Sequence, residues 1–320
     1  MMARNDLVVA GIDIAKDKVD VCIRSLSQRR TFESIAEGRR QLVCWLRKHK
    51  VTTAVMEASG GYEREWAKPL REKGVEVRIV DPKRVRHFAR SAGRLAKNDV
   101  IDADMICRFA ETFAEAPSQV YDAAREQLQQ MVSARQGLLD IQTALRNRGE
   151  HEVPQVVTQM HARLLKNIAA ELARLKAAII ALVKATPDFA KLADIIESVP
   201  GLSHITSAGL IASMPELGQV SKEAITALLG VAPYDDDSGK RRGERHINGG
   251  RRRIRNLFYM SCMGAATRYN RPLKAFYDRL IAKGKKAKVA LVACMRKLIV
   301  ILNIMIARGE KWDANRYAVG

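Results

Sequence analysis

Five side chains in this 320-residue chain combine a reactive type with an unusual place. Asp13 lies inside the apolar run "LVVAGIDI", residues 7–14. A carboxylate on a buried strand is costly unless a cation or hydrogen bonds compensate it. Glu57 ends another apolar run, "AVMEASG", and Asp99 and Asp102 lie in "NDVIDAD". Residues three apart share one face of a helix. Several carboxylates without His or Cys select hard cations, Mg2+ or Mn2+. Two such ions about 4 Å apart clamp the attacking and leaving oxygens of a phosphodiester. Each acid alone has a plainer explanation. Asp99 suits a helix N-cap, Asp104 suits the first turn of a helix, and Asp17 and Asp20 suit solvated turn and strand-face positions.

The fifth residue is Ser238, at the head of a basic segment within "PYDDDSGKRRGERHINGGRRRIRNLFY". Eight Lys or Arg lie between Lys240 and Arg255, against one acid, Glu244. Glycines at 239, 243, 249 and 250 allow close backbone approach. Such a stretch suits phosphate contacts. A serine hydroxyl needs a base or metal to become a nucleophile. Asp235–Asp237 could supply a base or simply cap a turn.

The elements that must position these residues follow from periodicity. Three strands are expected within residues 7–34. A helix then carries Leu42, Trp45 and Leu46, followed by a strand ending at Gly60-Gly61, a helix stopped by Gly74 and a fifth strand stopped by Pro82. That order is a mixed α/β sheet, in which the first and fourth strands can be parallel neighbours with Asp13 beside Glu57. A basic loop is expected over 83–103, leading into a helix. Two long helices are expected over 122–148 and 154–185. In the second, Leu165, Ile168, Leu172, Leu175, Ile179 and Leu182 step by three and four, a heptad seam ended by Pro187. An antiparallel or intersubunit coiled coil and a helix packed on its own domain both accommodate it.

Residues 191–320 are expected to be basic and mostly helical. "SVPGLSHITSAGLIASM" resembles a helix-hairpin-helix, whose turn offers backbone N–H groups to phosphate, although Ser203 stands where a second glycine is usual. Residues 271–313 are expected to form a basic turn and an amphipathic helix with Lys283, Lys285, Lys286 and Lys288 facing solvent or phosphate.

Composition bounds the partners. Apolar residues make up 47%, enough for folded cores. The formal charge of +20 points to an anionic polymer, most often nucleic acid, with a membrane surface as the alternative. No apolar run is expected to span a membrane, and no signal peptide is expected. Five scattered cysteines without a C-x-x-C fit buried thiols in a reducing cytosol. The "GIDIAK" stretch also matches the opening of actin-like ATPases and sugar kinases, but Ala15 and Lys16 replace the glycine that admits phosphate there.

Taken in order, "GIDIAKDKVDV", "MEASGGYE", "KNDVIDADMI", "VPGLSHITSAGLIA", "DSGKRRGERHINGGRRRIRNLFYM" and "KGKKAKVALVACMRKL" resemble the DEDD transposases of the insertion-sequence one-ten family, relatives of the Piv-type invertases, in its double-glycine branch. The resemblance implies a RuvC-like (RNase H-like) catalytic domain over 1–117, a helical coiled-coil linker over 118–190 and a C-terminal transposase domain over 191–320. It implies a DNA transposase or recombinase with acidic positions at Asp13, Glu57, Asp99 and Asp102 and a nucleophile at Ser238. It further implies a serine–DNA covalent intermediate assisted by Mg2+ or Mn2+, donor and target DNA, a structured noncoding guide RNA, and a homo-oligomer, dimer or tetramer, working in the bacterial cytoplasm at the nucleoid. Lys16, Arg241, Arg242 and Arg245 are implied DNA contacts, and Arg251, Arg252 and Arg253 join them as nucleic-acid ligands. A hydrolytic RuvC-like nuclease, such as a junction resolvase, would use the same four acids and ignore Ser238. A nucleic-acid scaffold with an inactive site would need neither.

Overall fold

The computed structural model describes residues 8–93, 99–113, 122–151, 153–235, 243 and 245–316. The chain divides into two compact units, residues 1–121 and 122–320.

In the first unit, β1 (Val9–Ile14), β2 (Lys18–Ile23) and β3 (Gln28–Glu33) form successive hairpins. Then α1 (Ala36–Lys48) leads to β4 (Thr53–Glu57), and α2 (Tyr62–Glu72) leads to β5 (Glu76–Val80). The sheet order is β3-β2-β1-β4-β5, with β1 antiparallel to β2 and parallel to β4. This is the mixed sheet that the sequence leads one to expect. Side chains alternate across it. Ala10 and Ile12 are fully buried on one face, in the cluster that holds Leu42 and Leu46 of α1 and Trp66 and Leu70 of α2. The alternate residues of β1 turn to the other face, where α3 (Pro82–Ser91) and α4 (Asp99–Thr112) pack.

Helix α3 replaces the first half of the basic loop expected over 83–103. Its start carries a helix signature. The Asp81 side chain accepts from the Lys83 N–H at 2.8 Å, and Pro82 occupies the first helical turn.

Helix α4 can lie on β1 because Gly11 has no side chain. A Cβ there would stand 2.3 Å from the Ala103 carbonyl oxygen and 2.5 Å from the Cys107 nitrogen. Nearby, the Cys107 thiol donates to the Val9 carbonyl at 3.4 Å. Asp104 fastens the helix to the adjoining strands. Its carboxylate accepts from Arg24 Nη1 at 3.0 Å and Arg29 Nη2 at 3.2 Å. Burial works against the Arg24 charge, but Asp104 and then Glu111 outweigh it and raise the Arg24 pKa. Asp104 therefore acts through ion pairs rather than merely as an acid favoured at a helix start.

The second unit is helical. α5 (Ala123–Arg148) and α6 (Gln155–Ala185) pack on each other, and the α6 seam is half-buried at Leu165, Ile168, Leu172, Leu175 and Leu182 and fully buried at Ile179. Pro187 does more than end α6: it opens α7 (Pro187–Glu197), a position where its missing N–H costs nothing. α8 (His204–Ser213) and α9 (Lys222–Leu229) follow, then the short pair β6 (Pro233–Tyr234) and β7 (His246–Ile247). α10 (Arg252–Gly264), α11 (Arg271–Ala282) and α12 (Ala287–Arg308) complete the unit. The basic turn expected from residue 271 is thus confined to the few residues between α11 and α12. Asn270 caps α11, its side-chain oxygen accepting from Leu273 N at 3.1 Å.

One expectation about membranes needs correction. α12 is 22 residues long and apolar enough by length and composition to cross a bilayer. Leu291, Cys294, Leu298, Ile299 and Leu302 nevertheless lie in the main core of this unit. Its apolar character is that of a core helix.

Gly11→Ala should push α4 off β1, because the obstructing atoms are backbone. An expected loss of about 1–3 kcal/mol would appear as a lower thermal midpoint by circular dichroism, and an unchanged midpoint would refute the close-packing account.

Candidate active site

The register of the sheet brings two of the expected acids together. Ile12 of β1 lies beside Met56 of β4. One step further along these parallel strands stand Asp13 and Glu57, both half-buried. The start of α4 comes to the same end. Val9 meets Cys107, and Gly11 meets both Cys107 and Ala103, so β1 and α4 run in opposite senses. Two residues beyond Gly11 is Asp13. Towards the start of the helix from Ala103 are Asp102, which is half-buried, and Asp99, the first residue of α4. The side chain of Asp99 lies outside the described residues. Among the described residues no three His, Cys, Asp or Glu side chains gather closely enough to hold a metal. Asp13, Glu57 and Asp102 supply oxygen donors only, a chemistry that suits Mg2+ or Mn2+.

The sequence gives little warning of the residue that secures the loop after Glu57. Glu63 is 7% exposed. One of its carboxylate oxygens accepts from Ser59 N at 2.9 Å, Ser59 Oγ at 2.8 Å and Gly61 N at 2.9 Å. The Ser59 Oγ in turn accepts from Glu63 N at 3.1 Å, so the turn is laced in both directions. Between these anchors Gly60 and Gly61 take φ values of +76° and +121°, which glycine adopts without strain. Burial raises the Glu63 pKa, but hydrogen bonds from its own N–H, Gly61 and Ser59 outweigh it and hold the carboxyl below its usual value.

A second missed residue stands across from Asp13. Asp20 of β2 is its direct partner in the antiparallel ladder. Far from being a solvated strand-face acid, its side chain is only 13% exposed and lies 3.1 Å from Lys18 Nζ. Lys16, by contrast, is exposed in the turn between β1 and β2.

In the second unit, Ser238 falls outside the described residues, as do Arg241 and Arg242. The neck of their loop is described. Pro233 pairs with Ile247 and Tyr234 with His246, and Arg245 Nε meets Asp235 at 2.5 Å. The double glycine has a packing reason. A Cβ on Gly250 would stand 2.3 Å from both the Cα and the nitrogen of Gly230. Arg255 Nη1 closes the contact by donating to the Gly230 carbonyl at 3.1 Å and the Gly249 carbonyl at 2.6 Å.

The basic segment is also more ordered than a loop. Arg252 and Arg253 lie exposed on the first turn of α10. Arg251, expected among the nucleic-acid ligands, makes a two-pronged ion pair with Glu216 at 2.7 and 2.6 Å and donates to the Ser213 carbonyl at 2.7 Å. Its guanidinium is committed to the protein. In the hairpin between α7 and α8, Gly201 abuts Ala265 and Ser203 Oγ caps α8 by accepting from Thr206 N at 3.3 Å. α8 itself is a core helix, buried from Ile205 to Ala212.

Comparison with known proteins finds two family matches along the chain. Residues 10–158 match a transposase family model of the DEDD type of IS110 elements, and residues 193–278 match one described as the transposase IS116/IS110/IS902 family. Together the matches span well over half of the chain. The pilin gene-inverting protein of Moraxella bovis is 23% identical over 313 residues, covering 95% of this chain and 97% of that protein. The transposase for insertion sequence element IS1111A of Coxiella burnetii is 24% identical over 270 residues, covering 74% of this chain and 71% of that protein. These relatives and the matched domains make the chain an enzyme of the DNA transposase and recombinase class. It belongs to the DEDD transposase family of IS110-type insertion elements.

Two outcomes test the local account. Glu63 has a depressed pKa when folded, so its contribution is present above the unfolded carboxylate value of about 4.3. That contribution is lost as pH falls through the folded value. The stability gap between wild type and Glu63→Gln, read by urea titration, should therefore be constant near neutrality and close in acid. Separately, Gly250→Ala should cost about 1–3 kcal/mol from its φ of +69° and the Gly230 collision. A melting temperature equal to wild type would contradict that packing.

Proposed function

We propose that this chain cuts and rejoins DNA at a divalent-metal site formed by Asp13, Glu57, Asp99 and Asp102, with Ser238 as the nucleophile. The observation that carries the acidic half is the strand register that sets Asp13 beside Glu57 at the end where α4 begins. The sheet order and the family membership support an RNase H-like, RuvC-type frame for it. When bound, Mg2+ or Mn2+ would stabilise charge on the phosphodiester oxygens. The chain's own parts then have distinct tasks. The acids hold the cation. The Ser238 hydroxyl loses its proton to a base and forms a P–O bond while the phosphorus–sugar oxygen bond breaks, and the departing sugar oxygen takes up a proton to become a free hydroxyl. The resulting serine phosphodiester preserves the bond energy, so the new sugar hydroxyl of another strand can reverse the step and rejoin. Exposed Lys16, Arg252 and Arg253, with Arg241, Arg242 and Arg245 on the serine segment, supply phosphate contacts.

The same reading includes donor and target DNA, a structured guide RNA from the element, and a dimer or tetramer whose subunits meet through the α5–α6 pair as a coiled coil. The net charge of +20 supports polyanionic partners, and the half-buried α6 seam supports a further helical contact. The domain limits 1–117, 118–190 and 191–320 describe this division of labour, with the middle segment carrying assembly. Work on DNA places the protein in the cytoplasm, at the nucleoid.

Expression with the native element flanks, followed by lysis in denaturant, tests the chemistry. Wild type should retain covalently attached DNA, whereas Ser238→Ala and Asp13→Ala should each reduce the adduct to background. Cleavage without an adduct, unaffected by Ser238→Ala, would identify a hydrolytic nuclease and overturn the serine step.

A further inference from the structure

We infer that Asp20 is a positioning residue that holds Lys18 at the acidic end of the sheet, and that Lys18 presents its ammonium there to a phosphate of the strand being cut. This rests on the reading of that end as the metal and DNA site. It adds to that reading a cationic arm on β2.

Three observations place the arm. Gly11 pairs with Cys22 and Asp13 pairs with Asp20, so these residues share the sheet face that α4 covers. The Cys22 thiol approaches Asp104 of α4 at 3.8 Å, which confirms that face independently. Lys18, two residues before Asp20, has the same side and lies further towards the acidic end. Across three adjacent strands the row therefore reads Asp20, Asp13, Glu57.

Two carboxylates directly opposite each other on a sheet repel. The surroundings of Asp20 answer that repulsion. One oxygen accepts from the Thr31 hydroxyl of β3, and the other lies 3.1 Å from Lys18 Nζ. Each oxygen is thus engaged by a donor of the protein, which is the environment of an anchored counter-charge rather than of a metal ligand. Lys18 is held at one end and yet remains 47% exposed, so a strand backbone can reach it. A lysine ammonium is a mobile point charge whose position is otherwise loosely specified. Pinning it to Asp20 sets it at a fixed place beside Asp13. Lys16, out in the turn, has no such anchor among the hydrogen bonds and ion pairs described for it.

A double-mutant cycle on the full chain tests this, with Lys18→Gln, Asp20→Asn and the pair together. The readouts are cleavage of the element's end DNA in the presence of its transcripts, and Mn2+ binding to the chain without DNA, followed by electron paramagnetic resonance. Circular dichroism checks that each variant folds. Each single variant should lower kcat/KM for cleavage about tenfold, and the double variant should be no worse than Lys18→Gln alone. Mn2+ affinity should stay within about twofold of wild type. Additive losses would show that Asp20 does not act through Lys18. A Mn2+ affinity lowered by Asp20→Asn would make Asp20 a metal ligand, and undiminished cleavage by Lys18→Gln would remove the phosphate contact. Each of these overturns the inference. Failure of the underlying site is read separately: Asp13→Asn would then retain both Mn2+ binding and cleavage.

Discussion

The acidic end of the first unit depends on one close contact, the backbone of α4 resting on Gly11. A side chain at that position would strike the Ala103 carbonyl and the Cys107 nitrogen. Without the contact, Asp102 and the start of α4 would lose their alignment with β1. Asp104 supports it from the side, through Arg24 and Arg29. The sheet supplies the rest by register, since the parallel pairing of β1 and β4 sets Asp13 beside Glu57 with no loop to adjust. The acids thus owe their placement to packed backbone and strand pairing, the least compliant parts of a fold.

The second unit handles its basic segment by dividing the arginines. Arg251 and Arg255 are spent on structure, the first on Glu216 and the second on the carbonyls around the Gly230–Gly250 contact. Arg252 and Arg253 remain at the surface, on the first turn of α10. Four arginines within five residues look equivalent as a charge run, yet their partners separate them. The neck formed by β6 and β7, with the Arg245–Asp235 ion pair, anchors both ends of the serine segment to this scaffold.

Much of the first unit was legible in sequence because its signals are local. Alternation and apolar runs marked all five strands, and their order marked the mixed sheet. Asp13 and Glu57 stood out because a charge interrupts or ends an apolar run. Asp20 did not, because alternation with polar neighbours is what a half-solvated strand also shows. Its importance comes from cross-strand register, which no single segment contains. Glu63 was hidden for a similar reason: an acid in the first turn of a helix is ordinary, and only the folded loop reveals its three donors. α3 was overlooked because its basic residues suggested a loop, although Asp81-Pro82 is a helix start. Arg251 looked like its neighbours until Glu216, distant in sequence, came beside it.

The position of α12 carries a consequence for how the protein comes into being. Its inner face runs through the main core of the second unit, and just beyond it the Trp312 N–H donates to Ser198 Oγ, at the turn after α7. During synthesis the first unit has its whole sheet and its acids long before α12 emerges. Domains generally fold as units in the order they leave the ribosome. A polypeptide cut short ahead of α12 would carry a complete first unit joined to a second unit with an open core. The second unit therefore closes its main core only after α12 has been made, however early its other helices form.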